Sequence, residues 1–177
     1  LTGQTVTLAS AGTLRNFGGI DGTSAVDLYA ATDFVHSGKI SGAGRIAIEA
    51  GRSVNTAAGS EISAATIDLV AGSIANAGTV VASAALDLLA DNGNLSNSGT
   101  LAGRNTTLTS AGTLSNTGGI DGRDSLRLTA GIDLANSGTI SGGALQLEAG
   151  NRLTTAKGAA IAGASIEAIA RSIDTSG

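Results

Sequence analysis

The chain has 177 residues, of which 42% are hydrophobic and 2% aromatic, and it contains 27 Gly but no Cys, Pro, Met or Trp. The absence of Cys and the single His exclude a disulfide scaffold and a Cys/His zinc site, while a mean hydropathy of +0.25 with 14% charged residues excludes a disordered polar chain. The formal net charge of -4 argues against a non-specific nucleic-acid binder, and the best apolar stretch, 80–90, is too short and interrupted for a membrane-spanning helix.

An internal repeat organises the sequence. Residues 10–22 (SAGTLRNFGGIDG) and 110–122 (SAGTLSNTGGIDG) differ at two positions only, where Arg15 and Phe17 become Ser115 and Thr117. A shorter period of about 20 residues lies beneath this one. The chain is therefore about nine copies of one unit, and we expect residues 1–177 to form a single repeat segment with no second domain.

The copies align in four columns that are apolar at every position except Thr106, which stands in the third column. The first column contains Leu14, Phe34, Val54, Ile74, Leu95, Leu114, Leu134, Leu153 and Ile173. The second column contains Leu1, Ile20, Ile40, Ile62, Val80, Leu101, Ile120, Ile140 and Ile161. The third and fourth columns lie two residues apart, beginning with Val6 and Leu8 and ending with Ile166 and Ala168, and a small residue follows each pair.

The spacing within a copy is that of a β-strand. Inward positions lie two residues apart, and no window keeps the spacing of an amphipathic helix. Repeats of about 20 residues with short strands and glycine-marked corners predict an all-β fold, a β-solenoid of about nine coils. At an inter-strand spacing of about 4.8 Å the coils would stack into a rod roughly 40 Å long. We expect positive φ at most of the glycine corners.

A polar column follows the first apolar column by two residues. We interpret it as a structural Asn ladder that passes amide hydrogen bonds along the stack; its asparagines are Asn16, Asn76, Asn97, Asn116 and Asn136. His36 falls in the same column and is interpreted as a substituted rung rather than a catalytic base. The alternative is a polar strip facing a ligand, which would require these side chains to point outward.

Few residues in the sequence suggest a catalytic or ligand-binding role. Asp27, Asp68, Asp87 and Glu167 are expected on one outward face, where they keep the sheet soluble. Arg45, Arg104 and Arg123 precede the third column and are the candidate contacts for an anionic glycan. The sequence has neither a phosphate-binding GxxxxGK[ST] loop nor the nonapeptide calcium repeat, and we expect no catalytic residue, metal site or cofactor.

The motifs GTLxNxGGIDG, NSGTLAG (97–103) and NSGTISG (136–142), followed by LxLxA, resemble the haemagglutinin repeat of filamentous haemagglutinin and related exoproteins of Gram-negative two-partner secretion systems. The resemblance covers the whole chain. It implies a right-handed parallel β-helix, a secreted or cell-surface location, an outer-membrane transporter as export partner, and attachment to host or neighbouring cells. Copies 54–62 and 153–161 depart from the pattern by two inserted residues, which predict turns near Ala57-Ala58 and Ala156-Lys157.

Three functions are compatible with the sequence. The first is a non-enzymatic adhesive stalk that extends a distal binding or toxic region, with this segment an uncapped part of a longer chain that lacks its signal segment. The second is direct binding of a glycan or protein receptor on an outward face, for which the scarcity of aromatic side chains is unfavourable. The third, a polysaccharide lyase or hydrolase, requires converging acidic residues and a walled groove.

Overall fold

The computed structural model describes residues 1–176, and strands without any helix make up the regular structure of this range. Seventeen strands lie in one sheet that coils on itself, with parallel pairing throughout. The strands are β1 (Thr2–Ser10), β2 (Leu14–Asn16), β3 (Gly19–Ala30), β4 (Asp33–His36), β5 (Lys39–Gly42), β6 (Arg45–Thr56), β7 (Glu61–Asn76), β8 (Thr79–Ala90), β9 (Leu95–Asn97), β10 (Thr100–Ser110), β11 (Leu114–Asn116), β12 (Gly119–Ala130), β13 (Asp133–Asn136), β14 (Thr139–Ala149), β15 (Arg152–Thr155), β16 (Ala160–Ile169) and β17 (Ser172–Thr175).

Equivalent residues of successive coils pair in register. Leu114 of β11 pairs with Leu134 of β13 in the first column, and Ile120 of β12 pairs with Ile140 of β14 in the second. Within β12 the register shifts after Gly122, where the strand bends from the second column into the third. The predicted fold class is confirmed: the chain is a β-solenoid of about nine turns with roughly 20 residues in each.

The four apolar columns form one continuous core. In the interior coils these side chains are almost fully removed from water, and Phe34, Leu108 and Leu114 are 0% exposed. In the last coil the equivalent positions are open, with Ile166 50% and Ile173 49% exposed. Burial therefore depends on a coil on either side, as stacking predicts.

The expectation of positive φ at most glycine corners is wrong. Among residues 1–176 only Gly59 (81°) and Gly158 (84°) have it. After the Asn ladder, glycine is needed because neighbouring coils approach closely: a Cβ added to Gly118 would lie 2.1 Å from the carbonyl oxygen of Gly99. These glycines thus permit tight stacking of one corner on the next.

The two inserted segments form β-turns, which confirms the prediction. In the turns 57–60 and 156–159 the N–H of the fourth residue donates to the carbonyl oxygen of the first residue, at 3.1 Å in both cases. The third position of each turn is the glycine with positive φ, as a type II turn requires. The two turns are five coils apart, which matches the long repeat in the sequence.

Candidate functional site

The Asn ladder points inward and bonds along the stack. Asn76, Asn97 and Asn116 each donate from Nδ2 to Oδ1 of the next rung at 2.8 Å, the last of these reaching Asn136. All four are 1–3% exposed, and each also donates to the carbonyl oxygen two residues further on, at 3.1–3.2 Å. Asn16 is only partly buried and pairs with His36. The hydrogen-bonding capacity of these amides is thus used inside the fold and not offered to a ligand.

His36 is a neutral rung of this column. Its Nδ1 accepts from Asn16 Nδ2 at 3.2 Å, so Nε2 carries the proton and donates to the carbonyl oxygen of Glu61 at 3.1 Å. The orientation of the Asn16 amide is set by its Oδ1, which accepts the N–H of Gly18. His36 is 0% exposed, and burial lowers its pKa, an effect that the bond to Glu61 partly offsets. A buried imidazole with both nitrogens engaged cannot reach a bound substrate.

The three predicted arginines do not form one cluster. Arg45 directly precedes the third column on the third coil and is held by two carboxylates, Asp68 at 2.8 Å and Asp27 at 3.3 Å. The bond to Asp68 raises the pKa of Arg45. Arg104 and Arg123 lie further along the rod and line one shallow depression of about 260 Å³. The structure therefore brings two of the three together and separates Arg45 from them.

The depression around Arg104 and Arg123 is of mixed charge. Arg104 pairs with Asp124 at 2.7 Å, and Asp121 also lines the depression. Within residues 1–176 no carboxylate lies within ion-pair distance of Arg123. One guanidinium of the pair is consequently available to an anionic ligand.

The outward carboxylates do not converge. Asp68 and Asp87 are register partners on adjacent coils, but Asp68 is engaged by Arg45. A second depression, of about 600 Å³, is lined by polar residues including Arg127 and Gln146 and has Glu167 as its one lining carboxylate. Neither place sets two acids on opposite sides of a cleft, which a glycosidase of the two-carboxylate type requires.

The sequence analysis missed a charged corner at the start of β4, formed by Asp33 and Arg52. Asp33, only 8% exposed, accepts hydrogen bonds from the guanidinium of Arg52, one of them 2.8 Å long, and from Ser53 Oγ at 2.7 Å. These bonds lower the pKa of Asp33 to about 2. The signal in the sequence is an Asp followed 19 residues later by an Arg, a spacing that recurs at Asp133 and Arg152. At the second site Asp133 accepts the backbone N–H of Arg152, at 3.0 Å, rather than a guanidinium N–H. This corner fixes neighbouring coils to each other.

Over residues 1–176 no group of three or more His, Cys, Asp and Glu side chains is placed to hold a metal ion. The same range has no helix long and apolar enough to cross a membrane.

The family model described as haemagglutinin repeat matches residues 1–32, 23–99 and 78–177, which together cover the whole chain. Comparison with curated proteins and with solved structures gave no match.

Proposed function

Because the chain belongs to the haemagglutinin repeat family, we propose that it is a rigid spacer in a secreted adhesin of the cell surface, projecting a distal binding region away from the cell. The repeat is of the structural, adhesin type, and the proposed role is non-enzymatic. Export through an outer-membrane transporter of a Gram-negative cell belongs to the same proposal. A chain without Cys suits that route, since no disulfide can close before translocation.

The observation that carries the proposal is the continuity of the interior. The apolar columns run from coil to coil with one polar member, the buried Thr106 in the third column, and the ladder is continuous from Asn76 to Asn136, so the stack resists bending at any single level. Polar groups that could do chemistry are used between coils, as with His36 and Asp33. A rod of this kind adds a fixed length for each copy of the repeat, about 4.8 Å.

A reach experiment tests the spacer role. Deleting residues 10–109 joins Ala9 to Ser110 in register and removes five coils, a shortening of about 24 Å. We would place the full, shortened and duplicated rods between a cell-surface anchor and a reporter binding domain. Attachment of the cells to ligand-coated beads is expected to rise with rod length, while binding of soluble ligand stays constant. Attachment that is independent of length would contradict the spacer role.

Direct binding of an anionic glycan is the second candidate, favoured by the unpaired guanidinium in the depression shared by Arg104 and Arg123. The test is a glycan array probed with the isolated chain and with the variant Arg104→Gln/Arg123→Gln. Arg45→Gln is the matched control, because Arg45 is held by its own carboxylates. Reproducible binding that the double substitution abolishes and the control retains would replace the passive spacer as the role of this segment.

A further inference from the structure

The corner 91–94, between β8 and β9, differs from its counterparts in length and in sequence. It has four residues, whereas the equivalent corner after β10, 111–113, has three. It also contains Asn92-Gly93, and no other Asn in the chain is followed directly by Gly. This dipeptide combination is chemically labile, because an unhindered glycine nitrogen can attack the side-chain carbonyl of the preceding asparagine.

Both reacting groups are free in the folded protein. The side chain of Asn92 is exposed and makes no hydrogen bond within residues 1–176, and the N–H of Gly93 has no acceptor in that range. The flanking main chain is held: Asn92 N–H donates to the carbonyl oxygen of Gly72 at 3.3 Å, and the carbonyl of Gly93 accepts from Ser110 Oγ at 2.9 Å. These bonds hold the two ends of the dipeptide, while the peptide link between them, formed by the Asn92 carbonyl and the Gly93 N–H, makes no hydrogen bond within residues 1–176.

We propose that Asn92-Gly93 is a self-modification site at which the native protein converts Asn92 to isoaspartate and aspartate. The nitrogen of Gly93 loses its proton to solvent and bonds to Cγ of Asn92, the Cγ–Nδ2 bond breaks, and Nδ2 leaves as ammonia with a proton taken from water. Water then opens the cyclic imide at either of its carbonyl groups. The reaction needs water alone and involves no change of oxidation state.

The fold accommodates the product. Isoaspartate adds one methylene to the main chain, and the four-residue corner has more slack than its three-residue counterparts. The new carboxylate lies beside the exposed Asp91 and faces solvent, where like charges are screened. We therefore expect a modified rod that keeps its stack and carries one further negative charge.

Asn94 provides an internal control in the same corner. It is also exposed, but Leu95 follows it and its Oδ1 accepts the N–H of Thr113 at 2.9 Å. The nitrogen that would attack it, that of Leu95, donates to the carbonyl oxygen of Thr113 at 3.1 Å. Neither reacting group of Asn94 is free, so it should remain an amide.

The test is incubation of the folded chain in mildly alkaline buffer, followed by peptide mapping with mass spectrometry that separates isoaspartate from aspartate. We expect conversion at Asn92 and not at Asn94, at a rate no more than about tenfold below that of an unstructured peptide covering 88–96, because an exposed corner needs little opening. Gly93→Ala should slow the reaction at least about tenfold, since a β-carbon hinders the attacking nitrogen.

The Gly93→Ala variant needs a check of its fold, because its Cβ would lie 3.0 Å from the carbonyl oxygen of Gly72. Circular dichroism supplies that check. Asn92→Gln is the second variant, and it should give no product at this corner because its longer side chain disfavours ring closure. An unchanged Asn92, equal conversion of Asn94, or conversion confined to urea-denatured protein would each overturn the proposal.

Discussion

The substitution Asn97→Ala removes one buried rung of the Asn ladder together with its bonds to both neighbouring rungs. Asn97 is 1% exposed, accepts from Asn76 at 2.8 Å and donates to Asn116 at 2.8 Å. Without it, Oδ1 of Asn116 has no donor among residues 1–176. A buried acceptor left without a hydrogen bond lowers the free energy of unfolding by about 1–3 kcal/mol, and loss of the bond that Asn76 donates to Asn97 lowers it by about 1 kcal/mol more. The expected total is about 2–4 kcal/mol.

Asn97→Thr should lie between Asn and Ala. The reason is visible at the rung of the third coil, where Thr56 donates through Oγ1 to Oδ1 of Asn76. The matched control is Asn105→Ala, which removes an exposed side chain whose one hydrogen bond is accepted from Ser125 at 2.9 Å, and which should change stability by at most about 0.5 kcal/mol.

Denaturant unfolding followed by circular dichroism measures all three variants, and hydrogen exchange reports whether the loss is confined to the neighbouring coils. The reasoning is refuted if Asn97→Ala unfolds at the same denaturant concentration as the Asn105→Ala control. A Thr variant less stable than the Ala variant would refute the hydrogen-bond explanation while leaving a packing role.

Three further predictions concern the core, the buried imidazole and the stacked glycines. Leu108→Asp buries an unpaired charge at a 0% exposed position and should cost at least several kcal/mol, whereas the exposed Asp87→Asn should change stability by under about 0.5 kcal/mol; equal unfolding midpoints would contradict the inward column. The lowered pKa of His36 means that the unfolded chain binds its proton more readily than the folded one, so stability should be full above the ordinary pKa of 6.5 and should fall as the pH drops below it. Unfolding midpoints measured across this range for the parent and for His36→Asn should diverge at acidic pH, and parallel curves would show that the imidazole is not a neutral rung. Gly118→Ala should destabilise by more than about 1 kcal/mol because its Cβ would meet a carbonyl oxygen at 2.1 Å, while Gly19→Ala, with no atom within 4 Å, should be nearly neutral; thermal melts of the two variants decide the point.

The sequence predicts the solenoid because the columns repeat about nine times, and independent copies reinforce one register. The corners are harder to predict because their contacts depend on where long side chains cross between coils. Arg45 reaches Asp68 on the next coil and Asp27 on the previous one, and neither pairing follows from its place before the third column. The pairing of Asp33 with Arg52 has the same origin, since an Asp at a corner is expected to face solvent.

The prediction of positive φ at most glycine corners failed for a different reason. A recurring Gly at the corners of successive copies is typical of positive φ, yet at Gly118 the cause is the backbone of the adjacent coil. A single copy of the repeat contains no information about its neighbour's carbonyl groups, so this role becomes visible only when coils are stacked. Within residues 1–176 the two glycines that do have positive φ, Gly59 and Gly158, lie in the inserted turns, whose positions the two extra residues predicted.

Distances between spin labels test the stacked rod most directly. The chain has no Cys, so label pairs at Ser37/Ser137 and Ser37/Thr117 can be introduced cleanly, and all three positions are exposed. These positions are equivalent on coils five and four steps apart, which predicts separations of about 24 Å and about 19 Å, differing by one coil spacing. Pulsed electron paramagnetic resonance should return narrow distributions in that order. Equal separations, or broad distributions in either pair, would contradict a continuous parallel stack and with it the proposed spacer.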